Sequence, residues 1–282
     1  MEAHTVAKHR RLKRAGLYAA LTLGALFAGF PVVWMAFTSF KSNTEIFSLP
    51  PRLLPDHFSL AAYRSIFASE SKLRFFLNSY FVAICVTALT LLFAILAAYS
   101  FSRYSFRGKR QLNLFIISTQ SLPPITLLIP YFGLIATLKL YDTYFALIFT
   151  YMVFTLPYAI LMMTGYFNTL PRELDEAVLI DGAGSFRALW RVLVPVSAPG
   201  IVSTGLYTFI ICWNEYLFAL TLTKTAKMRT VPVGIQQLMG QHSYEWNEMM
   251  AMSVLGCLPI LVLFLLFQHH FIAGMTAGSV KS

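Results

Sequence analysis

What most constrains this chain is a series of long stretches without a charged side chain. Residues 15–40, 75–102, 111–138, 143–171 and 249–280 hold none, and 192–223 holds only Glu215. An apolar run of about 18 or more residues is long enough to cross a bilayer as a helix, the form in which a chain satisfies its own backbone polar groups in lipid. Six such runs predict an all-α membrane protein with six transmembrane helices. None of them alternates with the period of two that a membrane β-barrel requires. Composition agrees. With 57% hydrophobic and 12% charged residues, against roughly 45–50% and 25% in ordinary globular proteins, 282 residues cannot cover a soluble surface.

The formal charge of +10 would point to nucleic acid in a soluble chain. Here the cations cluster at span ends, where they set orientation, and no nucleic-acid partner is expected. The first run follows a basic lead (His9, Arg10, Arg11, Lys13, Arg14) but is too long for a signal peptide, and no small-x-small cleavage site follows before Lys41. It therefore reads as a retained anchor. Six spans put both termini on one side. With the N-terminus inside, thirteen of the 22 basic residues fall on inner segments and nine on outer ones, which favours cytoplasmic termini. The expected layout is a cytoplasmic segment 1–14, a six-span domain over 15–271 and a cytoplasmic tail 272–282. An external loop covers about 41–74, and a cytoplasmic loop about 170–199.

Pro123, Pro124 and Pro130 interrupt the third span, Pro157 the fourth and Pro259 the sixth. A single proline kinks a helix, but the adjacent pair Pro123-Pro124 forces a break, and broken spans suit a transporter. Cys85, Cys212 and Cys257 stand in apolar runs without metal-ligand spacing and read as small buried hydrophobes.

The segment 170–199 is too long for a turn. Pro171 suits a first helical turn, and Glu173, Asp175 and Glu176 place negative charge at a helix N-terminus. Leu174, Ala177 and Val178 then share one face. Asp181-Gly182 is a stop signal, and Ser185 is placed to cap a second short helix ending before Pro195. A first helix of about nine residues spans only about 13 Å and cannot build a core. Its apolar face packs either on the chain's own spans or in a groove on another protein.

These residues resemble the cytoplasmic EAA loop of ABC importer permeases. Glu176, Ala177, Asp181, Gly182, Ala183, Pro195 and Pro199 stand at the family's places without a gap, with Val178 where the family has a second alanine. Leu49-Pro50-Pro51 with Phe58 to Phe67, Arg103 to Lys109, Trp213 to Leu220, and the tail Ala273 to Lys281 are similar to successive segments of maltose-type sugar permeases. The resemblance implies a type I ABC importer permease fold in a bacterial inner membrane. The partners it implies are a second six-span permease, two cytosolic ATPase subunits and an extracytoplasmic sugar-binding protein. It further implies that Glu176 makes polar contacts with an ATPase, that Gly182 allows a tight turn, and that Ala177 and Ala183 keep the helix slim enough to seat. Ala277, Gly278 and Lys281 would sense nucleotide state. The cargo so implied is a di- or oligosaccharide, with glycerol phosphate or another polyol as the alternative.

No Gly-x-x-x-x-Gly-Lys-Ser/Thr loop occurs, so the chain is not expected to be an enzyme. ATP and magnesium would belong to the partner ATPase, and no cofactor to this chain. His269-His270 is no metal site, because adjacent helical residues face different ways. Glu215 is the one acid within a predicted span, where a carboxylate costs roughly 2.5–3.5 kcal/mol. Either it lines a sugar route with Trp213, Asn214 and Tyr216, or it pairs with the partner permease or sits near the outer gate. A stand-alone secondary transporter would show an internal repeat and buried ionisable pairs. A membrane enzyme would show clustered His, Asp or Ser. The sequence displays neither.

Overall fold

A computed structural model describes residues 2–180, 182–240 and 245–277; at 2–12, 177, 179–180 and 269–277 it describes the backbone alone. Asp181, Gly278 and Lys281 lie outside the described residues, and of Ala177 and Ala277 only the backbone is described. Every regular element among the described residues is a helix. The chain divides into two units, Met1–Ala68 with Leu238–Leu255, and Ser69–Gln237 with Gly256–Ser282.

The first unit contains α1 (Glu2–Ser39), α2 (Asn43–Ile46) and α3 (Ala61–Ala68). Within α1, Lys13–Ser39 is long and apolar enough to cross a membrane, and its most apolar window buries no residue in the chain. That surface is stable only against lipid or another protein. Beyond it the segment that follows α1 folds back on the helix end. The buried Lys41 ammonium donates to the Arg52 carbonyl and sits 5.3 Å from the Trp34 ring centroid. Ser39 and Tyr63 share a 2.7 Å hydroxyl bond. The Asn43 amide donates to Glu245 at 2.6 Å and accepts from the Asn247 N–H at 3.2 Å.

The second unit is built on α4 (Glu70–Arg103). The third span is α5 (Lys109–Thr119), then a short 3-10 turn Pro124–Leu127 and α6 (Leu128–Thr137). These halves meet at 94° across Pro123-Pro124, the break that the proline pair predicts. The fourth span, α7 (Tyr144–Thr169), continues through Pro157. After it come α8 (Glu173–Ile180), α9 (Ser185–Ala188), a π-turn Leu189–Leu193, α10 (Val194–Val196) and α11 (Ala198–Asn214). The segments Ser185–Val196 and Ala198–Asn214 meet at 79°. Short α12 (Leu217–Leu222) and α13 (Val231–Gln237) precede α14 (Trp246–Ala277), which runs through Pro259. Among the described residues, four helices are long and apolar enough to cross a membrane, or up to six when each bent pair counts as one span.

The core of this unit has two layers. Val82, Val86, Leu147, Tyr151, Phe209 and Trp213 anchor one, and Ile95, Tyr99, Met163, Phe167, Leu189 and Leu193 the other. At Gly200 a Cβ would stand 2.6 Å from the Tyr166 ring, so glycine lets the start of α11 close on α7.

Polar residues pin the loop after α12. Asn78 donates to the carbonyls of Lys227 and Arg229 at 2.9 and 2.8 Å and accepts from Tyr144 at 2.7 Å. Asp142, in the left-handed region at φ 60°, accepts from the amides of Lys224 and Thr225 at 2.7 and 3.1 Å. Partial burial alone would raise the Asp142 carboxyl. The two backbone donors, the Thr225 side chain and the nearby Arg229 outweigh it and hold its pKa below the ordinary 3.8. A lowered folded-state pKa means that this contribution is complete above about 3.8 and is lost as the pH falls through the folded value. We expect Asp142→Asn to lower thermal stability at pH 7, with the difference from the parent shrinking towards pH 3. Melting of the purified protein at both values checks this.

Candidate functional site: the loop between the fourth and fifth spans

The loop begins as its sequence dictates. Glu173, Asp175 and Glu176 occupy the first turn of α8, where the helix dipole favours negative charge. The three acids part company there. Glu173 and Glu176 are exposed, while Asp175 turns inward and meets Arg103 at the end of α4. Arg103 Nε lies 2.6 Å from Asp175 Oδ2, with the side chains 8% and 11% exposed. The Nε–H is not aimed along a hydrogen-bond direction at the carboxylate, so the contact is an ion pair. Directed bonds of the guanidinium run to the carbonyls of Phe167 and Leu170, at 3.2 and 3.3 Å, and to the neighbouring Ser102 hydroxyl at 3.3 Å. One side chain thus joins the end of α4, the end of α7 and the start of α8.

The C-terminus of α8 explains Gly182. Its φ is +76°, and the Ala183 N–H donates to the Val178 carbonyl at 3.2 Å, the long-range bond of a Schellman ending. The next helix departs from expectation twice. Its cap is Gly184, with no side-chain bond, and Ser185 is its first residue. Nor does helix end before Pro195. The chain widens into the π-turn Leu189–Leu193 and continues to Val196. The proline's missing N–H falls where the hydrogen-bond pattern has already changed.

Leu189 and Leu193 are buried in one cluster with residues of α4 and α7, and Ala188 beside them is buried too. Phe186 is 69% exposed, its ring 6.1 Å from that of the half-buried Trp190. The second helix thus seats on the chain's own spans, while Glu176 on α8 and the ring of Phe186 are exposed. Of the predicted loop residues, Glu176, Gly182 and Pro195 are exposed and Ala183 is half-buried.

The four residues of the second predicted group differ in exposure. Trp213 is buried, donates from Nε1 to the Gly256 carbonyl at 3.0 Å, and packs on Phe209 and Tyr80. Asn214 is exposed and bonded to the Ile210 carbonyl at 3.0 Å. Glu215 and Tyr216 are half-buried at the break between α11 and α12. The Glu215 carboxylate accepts from the amides of Phe218 and Ala219, at 2.8 and 2.9 Å, and so caps the first turn of α12 with both oxygens. Glu215→Gln removes the charge and turns one acceptor into a donor. We expect a loss of about 1.5–3 kcal/mol, the scale of a charged hydrogen bond, read as a lower melting temperature of the purified chain. An altered substrate KM with unchanged melting would instead place Glu215 on the route.

Among the described residues, no group of three or more His, Cys, Asp or Glu could hold a metal ion. The residues that sequence reasoning missed are Arg103, Asp175 as its partner, Asn78 and Asp142. Asn78 carried one signal, a lone amide in an apolar run.

Up to six apolar spans, two of them bent, with a short helical loop between the fourth and the fifth, define a multi-pass membrane permease. Residues 65–277 match the family of binding-protein-dependent transport system inner membrane components, and the chain belongs to it. It is thus a transport component and not an enzyme. It is 36% identical over 252 residues to the sulfoquinovosyl glycerol transport system permease protein SmoH of Agrobacterium fabrum, covering 89% of this chain and 88% of that one. It is 37% identical to the trehalose/maltose transport system permease protein MalG of Thermococcus litoralis, covering 96% and 98%. The fold matches a chain in the crystal structure of a bacterial ABC transporter involved in the import of the polysaccharide alginate. The TM-score is 0.81 at 23% identity, covering 93% of this chain and 98% of that one. The six-span, all-α permease fold expected from sequence stands.

Proposed function

We propose that the chain is one of two permease subunits of an ATP-driven importer that carries a glycoside, a di- or oligosaccharide, from an external binding protein into the cytoplasm. The observation that carries this reading is the short helix α8. It is fixed to the spans by Arg103 and Asp175, yet keeps Glu176 outward and is followed by the exposed ring of Phe186. A helix held rigidly and left uncovered on its far side suits docking onto a second protein. An ATPase subunit is the partner that the family implies, supplying the ATP and magnesium chemistry. In this reading Glu176 and Phe186 contact the ATPase, Ala177 and Ala183 keep the seat narrow, and Asp181-Gly182 sets the turn. Both termini are cytoplasmic, the tail bearing Ala277, Gly278 and Lys281 reaches the ATPase pair, and Asn214 and Tyr216 are the residues nearest a substrate route.

The relatives named for sulfoquinovosyl glycerol and for trehalose/maltose support a glycoside cargo over glycerol phosphate. The test is ATP-dependent uptake by vesicles holding the assembled importer, offered labelled disaccharides, glycosyl glycerols and glycerol phosphate. Uptake of a glycoside is expected. Uptake of glycerol phosphate alone would overturn the assignment.

A further inference from the structure

Basic residues gather at one place that the transport reading does not use. Where α4 and α7 end and α5 begins, a cavity of about 680 Å³ is lined by Lys109, Arg110 and Arg172, with Asn113 and Asn168 beside them and no acidic residue. Gly108, at φ 85°, starts α5 without a side-chain cap, so the positive end of that helix dipole faces the same neighbourhood. The groups that would repel an anion are already engaged elsewhere. Arg103 covers the last carbonyls of α7 and pairs with Asp175.

We propose that this cavity holds the phosphate headgroup of an anionic phospholipid. The cavity lies where α4 and α7, each long enough to cross a membrane, come to their ends, the depth at which headgroups sit. From the cavity α5 leads directly into apolar surface, with Leu112, Leu114, Phe115 and Ile117 all exposed. A cationic first turn followed by uncovered hydrocarbon on one helix matches a lipid, whose charge and acyl chains are joined. A free anion has no use for the second half. Basic pockets between membrane helices recognise acidic headgroups in this manner. The inference does not depend on what the importer carries, nor on which face of the membrane the loop occupies.

The test is native mass spectrometry of the intact, delipidated importer complex, titrated with phosphatidylglycerol or with phosphatidylcholine of the same acyl chains. We expect phosphatidylglycerol to bind selectively. The triple variant Lys109→Gln, Arg110→Gln, Arg172→Gln should weaken it on the order of a hundredfold, since each basic group near an anionic surface contributes roughly fivefold. A control with the same charge change in the loop after α12 (Lys224→Gln, Lys227→Gln, Arg229→Gln) should bind as the parent does. Equal binding of phosphatidylcholine, undiminished binding by the triple variant, or an equal loss in the control would each overturn the proposal. Complete displacement of the lipid by inorganic phosphate at matched concentration would also overturn it, by reducing the site to one for a free anion.

Discussion

Arg103→Ala is expected to be among the most damaging single substitutions in the chain, costing about 3–5 kcal/mol, the scale for breaking a buried ion pair. The size follows from what is left behind. Asp175 would be left without its cation and with little access to water, and the Phe167 and Leu170 carbonyls would lose their donor. Unpaired buried charge is the larger of these penalties, which gives a sharper expectation. The double variant Arg103→Ala, Asp175→Ala should be more stable than Arg103→Ala alone. Arg103→Lys should fall between, since an ammonium keeps the charge but cannot reach the carboxylate and both carbonyls as the planar guanidinium does. Thermal unfolding of the purified complex measures the series. A double variant no better than the single one would mean that the pair does not secure α8. If the proposed function holds, ATP hydrolysis should persist in the surviving complex while transport per ATP falls.

The second large effect concerns Gly182, at φ +76° with nothing within 4 Å of an added Cβ. Space is therefore not the constraint; backbone conformation is. Asparagine visits the left-handed region readily, alanine at a cost of roughly 1–2 kcal/mol, and a β-branched residue at a higher cost still. Transport should follow that order, near parental for Gly182→Asn, reduced for Gly182→Ala and lost for Gly182→Val, with membrane insertion intact throughout. A bulky but unbranched residue that transports as poorly as valine would point to crowding by a partner at this turn. Reversing the exposed charge with Glu176→Lys should impair the same step without straining the backbone.

Much of the architecture could be read from charge spacing, because in lipid the absence of charge over about 20 residues is itself a structural statement. The break at Pro123-Pro124 was legible for an equally local reason. The helical pair in 170–199 was legible as a pattern, but its details depended on neighbours. Gly184 rather than Ser185 precedes the second helix, and the π-turn that carries helix past Pro195 is seated by Leu189 and Leu193 in the core. The Arg103–Asp175 pair joins residues 72 positions apart, and a single sequence holds no record of such pairing. Glu215 illustrates a different limit. Within a charge-free run it reads as a mid-span carboxylate seeking a cavity or a partner, whereas the span breaks beside it and its own backbone supplies the donors.

In the proposed function the loop between the fourth and fifth spans couples this permease to an ATPase. The most direct measurement is purification of the tagged chain from its native membrane in mild detergent, with mass spectrometry of what accompanies it, for the parent and for Gly182→Val. The parent should bring down a second six-span permease and an ATPase, and the variant should keep the permease while losing the ATPase. Recovery of the chain alone with transport intact, or an ATPase retained equally by both, would contradict coupling through this loop.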